Sequence, residues 1–436
     1  MNIDKNKDSM GCKKVFPTIL SLLFLIPYLE VEKIRSIFTY YHPGENNLIP
    51  SIIIVMLIII VILSPLLFVS TIKKTGRIDT YFISILLART AFDFITLIRI
   101  IFSSKPIDIL FQYFWCEVPF YFAFFVLYVI NRLNVDISKI HLNAIYFFTI
   151  YLILNIFINI SRYEYVFGNI KLGARNRLIS PGGGPVILGY TIAIMFSLFL
   201  FYQHKIKKQR FTVMFFIMLM ASFFTGSRGS MWMITFLVIL YLIDKRKLGI
   251  VGLIIVLISF LYVNPIEFLN EKVPRFFNLT DESRISTVLN TIDIFSKQST
   301  FGLLFGKGLG VFFPYQDWFL SKTPGMNYFI YEGNVLLVQP HNSYIYLLIE
   351  TGIFGLILFV YPLYKAFRIL PKAKDIMNWK YAVCTIFLIV FLNCFDSVFV
   401  IAPGSAALWW LIILSLSKYL YDYSIKKEHI ETNNYN

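Results

Sequence analysis

The chain is broken into apolar blocks of roughly 17 to 25 residues separated by short polar breaks, the length an α-helix needs to cross about 30 Å of hydrocarbon. That periodic length constrains the fold more than any motif does. A span of lipid leaves no water to satisfy a backbone N–H or C=O, so the blocks must be helices or strands of a closed barrel. Barrel strands alternate apolar and polar residues, which these blocks do not. With 57% hydrophobic, 18% aromatic and only 15% charged residues, the 436-residue chain has too few polar side chains for the surface of a soluble domain of this size.

The blocks predict an all-α polytopic membrane protein, a single transmembrane domain over 1–436, with about twelve helices. The spans are 15–29, 48–70, 78–101, 109–130, 142–160, 184–202, 211–225, 229–243, 248–263, 343–364, 381–399 and 404–421. Most of the 40 Lys and Arg residues fall in the two tails and the even-numbered gaps, as in "KKTGR" (73–77), "KIKKQR" (205–210) and "KRK" (245–247). By the positive-inside rule both termini are then cytoplasmic. A basic inner rim facing anionic headgroups accounts for the net charge of +15 without nucleic acid. The first apolar block lacks a small-residue cleavage site and reads as a retained anchor. Cys12, Cys116, Cys384 and Cys394 have no metal-binding spacing and suggest no disulfide framework.

This topology makes 264–342 a large periplasmic loop, with an amphipathic helix near 283–297 that sets Ile285, Val288, Leu289, Ile292 and Phe295 on one face. The "FGLLFGKGLGVFF" that follows reads as a glycine-rich turn region, and "FFPYQDWF" (312–319) as aromatic residues for sugar stacking or interfacial anchoring. Arginine is the informative residue on this side: Arg175 and Arg177 in "GARNRLISPGGGP", Arg228 in "TGSRGS", and Arg284. A guanidinium fork suits phosphate, although each of these side chains could also snorkel or pair with a carboxylate. "SPGGGP" lacks the Gly-Lys-Ser/Thr of a nucleotide loop and reads as a backbone turn.

The stretches "TGSRGSMWMI" (225–234), "SRISTVLNTIDIFSKQSTFGLLFGKGLGVF" (283–312) and "PHNSYIYLLIETGIFGLILFV" (340–360) resemble, in this order, the O-antigen polymerase and O-antigen ligase superfamily. The last carries its His-Asn, Glu-x-Gly and Gly pattern. The resemblance implies a bacterial inner-membrane enzyme that moves a glycan from undecaprenyl diphosphate to a sugar hydroxyl at the periplasmic face, with no metal and no cofactor. It implies as partners the undecaprenyl diphosphate-linked oligosaccharide, membrane lipids, and a chain-length regulator and flippase of the same pathway. It carries catalytic roles onto His341, Arg228 and Arg284, diphosphate binding onto Arg228 and Arg284, and, through a looser alignment, onto Arg175 and Arg177.

The chemistry agrees with those residue types. Cleaving an anomeric C–O bond puts negative charge on the leaving diphosphate, which fixed guanidinium groups stabilise, while an imidazole suits removal of the acceptor's proton near neutral pH. Read from the residues alone, "HNS" at 341–343 serves equally as a helix cap, with Asn342 or Ser343 capping, or as the seat of a general base. Arg89, Asp93, Arg99, Glu117 and Asp396 fall within predicted spans, either pairing structurally or lining a path for ions or substrate. A transporter or lipid flippase is the competing class, and it should show repeats between halves, which the sequence lacks. Within the enzyme class the polymerase is favoured over a ligase that transfers finished glycan to lipid A core.

Overall fold

The computed structural model describes residues 17–22, 80–102, 106–158, 178, 184–247, 249–252, 282–309, 328–331, 334–337 and 340–434. The expected spans 15–29, 48–70 and 248–263 lie mostly or wholly outside the described residues, as do Arg175, Arg177 and the 312–319 aromatics. Among the described residues the fold is helical apart from one antiparallel hairpin, β1 (Tyr328–Tyr331) with β2 (Asn334–Leu337), inside the segment 264–342. The helices are α1 (Thr80–Ile101), α2 (Pro106–Arg132), α3 (Ile137–Ile158), α4 (Pro185–Phe201), α5 (Lys208–Thr225) and α6 (Arg228–Asp244). There follow α7 (Glu282–Ser296), α8 (Thr300–Phe305), α9 (Ser343–Ile369), α10 (Trp379–Leu392), α11 (Val398–Ile401) and α12 (Pro403–Asn434).

Three described helical stretches, Tyr81–Arg99, Ile137–Phe157 and Ser343–Ala373, are long and apolar enough to cross a membrane; Pro185–Phe201 and Trp379–Leu392 are apolar but shorter. Two expected spans need correction. The block 381–399 is not one helix, because α10 stops at Leu392 and residues 393–397 turn before α11. The block 404–421 is the start of a longer helix that continues to Asn434.

The chain divides into two compact units. The first comprises Met1–Leu25, Ser138–Asp281 and Ile376–Leu388. Its central helix is α4, buried all along from Ile187 to Phe201 and apolar on every side, as a helix surrounded by others must be. Phe199 stacks on Phe211 with ring centroids 4.6 Å apart, and Phe196 and Tyr241 pack against Phe215. Thr385 and Ser197 join by a 3.1 Å hydrogen bond, and Ser197 Oγ donates to Tyr381 O at 3.0 Å.

The second unit comprises Ile26–Ile137, Glu282–Asp375 and Ile389–Asn436. Here α12 packs on α2, and α9 on α1. Its core surrounds a charge: Arg89 is fully buried, gives Nε and Nη2 to Glu117 at 2.5 and 2.6 Å, and lies 4.3 Å from the centroid of Phe359 and 4.5 Å from that of Phe120. Trp410 closes the cage, stacked on Phe399 at 4.5 Å. The four-residue spacing of Arg89 and Asp93 therefore does not make the ion pair. Glu117 takes the bidentate fork, whose geometry matches a carboxylate, and Asp93 accepts from the Tyr121 hydroxyl instead. Removing one partner of such a buried pair leaves an uncompensated charge, at a cost of about 3–5 kcal/mol.

Candidate active site

His341 sits at the head of α9, in the second unit. Asn342 is extended at φ −159°, ψ 112°, and its side chain caps the helix by accepting from Tyr344 N at 2.9 Å and Ile345 N at 3.1 Å. Such a cap is worth about 1 kcal/mol and fixes where the chain enters the helix. The other wall is the turn "NCFDS" (393–397), which interrupts the block the hydropathy reads as one span. Asn342 N donates to Ser397 Oγ at 3.0 Å, and Ser397 Oγ donates to Pro340 O, so the backbone is held on both sides of the imidazole. Ser343 N donates to Asn393 O at 2.8 Å and Ser343 Oγ to Asn393 Oδ1 at 2.7 Å, a carboxamide oxygen that also receives Phe399 N at 3.2 Å.

Inside this frame Asp396 Oδ1 lies 3.6 Å from His341 Nδ1 and accepts from Ser397 N at 2.9 Å. The separation is that of an ion pair, longer than a hydrogen bond. His341 Nδ1 is buried with no hydrogen-bond partner among the described residues, while its side chain as a whole is 35% exposed. The ring thus turns Nδ1 inward, toward the carboxylate, and leaves its outer edge open. A carboxylate so placed orients an imidazole and stabilises the imidazolium formed when the ring takes a proton. Asp396 is the functional candidate the sequence reading left among intramembrane charges; its signal was the polar cluster Asn393, Asp396 and Ser397 inside an otherwise apolar block.

The Glu-x-Gly element of the same stretch has a backbone role. Gly352 breaks the helical run of α9 at φ 70°, ψ −176°, a conformation essentially confined to glycine. A Cβ there would meet Gly306 N and the Leu304 carbonyl at 2.5 Å, and one on Gly306, itself at φ +67°, would meet Glu350 O at 2.1 Å. The two backbones are therefore in direct contact. Lys307 N and Gly308 N donate to Glu350 O at 3.0 and 2.8 Å, Arg99 Nη2 donates to Gly306 O at 2.6 Å, and Gln298 Nε2 reaches Ile349 O at 3.4 Å. This clasp ties the α7–α8 segment, which carries Arg284 in its first turns, to the helix headed by His341. The region expected to be a glycine-rich turn is thus a short helix, α8, followed by the clasp. On α7 it is Thr287, Thr291 and Ile294 that are buried, whereas Leu289 and Ile292 of the expected apolar face are 59% and 47% exposed.

Arg228 belongs to the first unit. It is the first residue of α6, after the N-cap Ser227, and is half-buried. The flanking hydroxyls are committed locally: Ser230 Oγ lies 2.7 Å from Ser222 Oγ and donates to Gly189 O at 2.7 Å, and Thr225 Oγ1 donates to Ser222 O at 2.7 Å. Among the described residues nothing pairs with the Arg228 guanidinium. Nor do the described residues contain a group of three or more His, Cys, Asp and Glu side chains placed to hold a metal ion.

Comparison with known proteins falls on this same part of the chain. No curated protein matches it. Residues 213–360 match a family model described as O-antigen ligase. The matched stretch begins in α5 and ends in α9, takes in Arg228, Arg284 and His341, and leaves out Asp396 and the earlier spans. Over residues 213–360 the chain is thus similar to the O-antigen ligase family, which supports the resemblance of its motifs to the O-antigen ligase and polymerase superfamily.

Proposed function

We propose that the protein is an O-antigen polymerase of the bacterial inner membrane: a twelve-span glycosyltransferase with cytoplasmic termini that joins polyprenyl diphosphate-linked repeat units at the periplasmic face, where 264–342 form its large loop. The observation that carries this reading is the His341–Asp396 pair, 3.6 Å apart at the head of a helix long enough to span, within a frame of Asn342, Ser343, Asn393 and Ser397.

In the proposed reaction the acceptor hydroxyl gives its proton to the open edge of His341 while its oxygen attacks the anomeric carbon. The C–O bond to the diphosphate breaks, and its electron pair leaves with the phosphate oxygen. Asp396 stabilises the imidazolium. Arg228 and Arg284, joined by Arg175 and Arg177, neutralise the leaving diphosphate; removing one such donor from a preorganised site typically costs about 2.7–4 kcal/mol of barrier. With guanidinium groups in that role the reaction needs no divalent cation.

Transfer of finished glycan to lipid A core is the second reading, because the matching family model is described as a ligase. Reconstitution with lipid diphosphate-linked oligosaccharide separates the two: a ladder of lengthened products is expected, and a single transfer to added lipid A core would establish the ligase. Movement of the lipid across the bilayer with no new glycosidic bond would refute both.

A further inference from the structure

The frame around His341 divides its work unevenly. Asn342 caps α9, and Ser343 bonds to Asn393 and, at 3.4 Å, to the main-chain carbonyl of Asp396. Among the described residues, Ser397 is the one that bonds both to the Asp396 carboxylate and to the chain on either side of His341. Its backbone N–H donates to Asp396 Oδ1 at 2.9 Å, the oxygen that lies 3.6 Å from His341 Nδ1. Its hydroxyl accepts from Asn342 N at 3.0 Å and donates to Pro340 O.

The position of Ser397 makes this choice of partners unexpected. It is the N-cap of α11, where a serine ordinarily accepts a hydrogen bond from an N–H of its own helix. Here the side chain makes no such bond. Asn393 Oδ1 accepts from Phe399 N at 3.2 Å in its place, and Ser397, wholly buried, turns its hydroxyl to the head of α9. A hydroxyl has one proton to give and can also accept, and this one spends both capacities on the peptide groups that flank the imidazole. Shifting His341 relative to Asp396 therefore breaks bonds made by a single residue. A misplacement of about 1 Å at a reacting group costs on the order of 10²-fold in rate.

We propose that Ser397 is a positioning residue of the transfer reaction: through its amide and its hydroxyl it sets the Asp396 carboxylate against the His341 imidazole. The proposal rests on the reading of His341 as the base and goes beyond it, since Ser397, like Asp396, lies outside the residues that the family model matches. Ser397 acts through the pair and takes no part in the proton transfer itself.

The test compares Ser397→Thr with Ser397→Val in the full chain, because the two new side chains have nearly the same shape and differ in the hydroxyl. With lipid diphosphate-linked oligosaccharide as donor, the threonine variant should show a kcat at least about tenfold above that of the valine variant, at closely similar donor KM. In an Asp396→Asn background that ratio should shrink toward one, because the hydroxyl then has no pair to align. Ser197→Ala removes another wholly buried serine hydroxyl bonded to the main chain, at 3.0 Å from Tyr381 O, and should leave the rate unchanged. Equal rates for the threonine and valine variants, with His341→Ala inactive, would overturn the positioning role and leave the base standing. The same ratio with and without the Asp396 carboxylate would also overturn it, since the hydroxyl would then serve the fold and not the pair. A His341→Ala protein of near-normal rate would remove the base, and the role of Ser397 with it.

Discussion

Replacing Gly352 by Ala tests whether Glu-x-Gly is a clasp rather than a set of catalytic groups. The substitution meets two costs. Backbone at φ 70°, ψ −176° is disfavoured for an L side chain by about 1–3 kcal/mol. The new Cβ would lie 2.5 Å from Gly306 N and from the Leu304 carbonyl, backbone atoms that a rotamer change cannot move. The loop has to lift, and with it go the bonds from Lys307 N and Gly308 N to Glu350 O and from Arg99 to Gly306 O. At about 1 kcal/mol each these bring the total to roughly 4–6 kcal/mol, which corresponds to a melting temperature lower by roughly 10 °C in detergent. Activity should fall further than stability explains, because the α7 segment bearing Arg284 loses its fixed position. Gly184→Ala is the control, since a Cβ there meets nothing within 4 Å. Gly306→Ala should resemble Gly352→Ala, and the double variant should fall well short of the sum, because both break one junction. A Gly352→Ala protein that melts within about 2 °C of the unaltered one and transfers glycan at its rate would refute the clasp.

His341→Ala should abolish chain growth while donor binding persists, and Asp396→Asn should lower the rate by roughly 5- to 5,000-fold, the range that about 1–5 kcal/mol spans for charges 3.6 Å apart between effective dielectrics of 80 and 20; long product from His341→Ala at a near-normal rate would reduce the histidine to part of a helix cap. Arg228→Lys should fail nearly as badly as Arg228→Ala, because a point charge does not reproduce a bidentate fork, and a Lys variant of normal activity, inserted at normal level, would dismiss the diphosphate role. EDTA should leave transfer by the purified protein unchanged; loss restored by a divalent ion would contradict an arginine-only site. In intact cells an impermeant thiol reagent should label Ser321→Cys and not Lys372→Cys, and the opposite pattern would reverse the topology.

The composition and block lengths were enough to name a helical membrane protein, because lipid allows an unsatisfied backbone no alternative and the 3.6-residue helix sets the block length. The helix start at Ser343 was legible for the same kind of reason: a capping side chain such as that of Asn342 acts within one turn of its own position. His341 and Arg228 could be singled out because an ionisable group between apolar runs is costly wherever it sits. What the sequence could not show are the pairings, since each joins positions far apart in the chain. Asp396 looked like one more charge in a span until the break at 393–397 brought it to His341, and Arg89 chose Glu117, 28 residues away, over Asp93 on its own helix. Gly352 reads only as a glycine in a helix; its need for a left-handed backbone is created by Gly306 and Leu304 arriving from another segment. Hydropathy records the free energy of each residue with its solvent, whereas a pairing depends on which surfaces the packed helices bring together, and only the tertiary structure decides that.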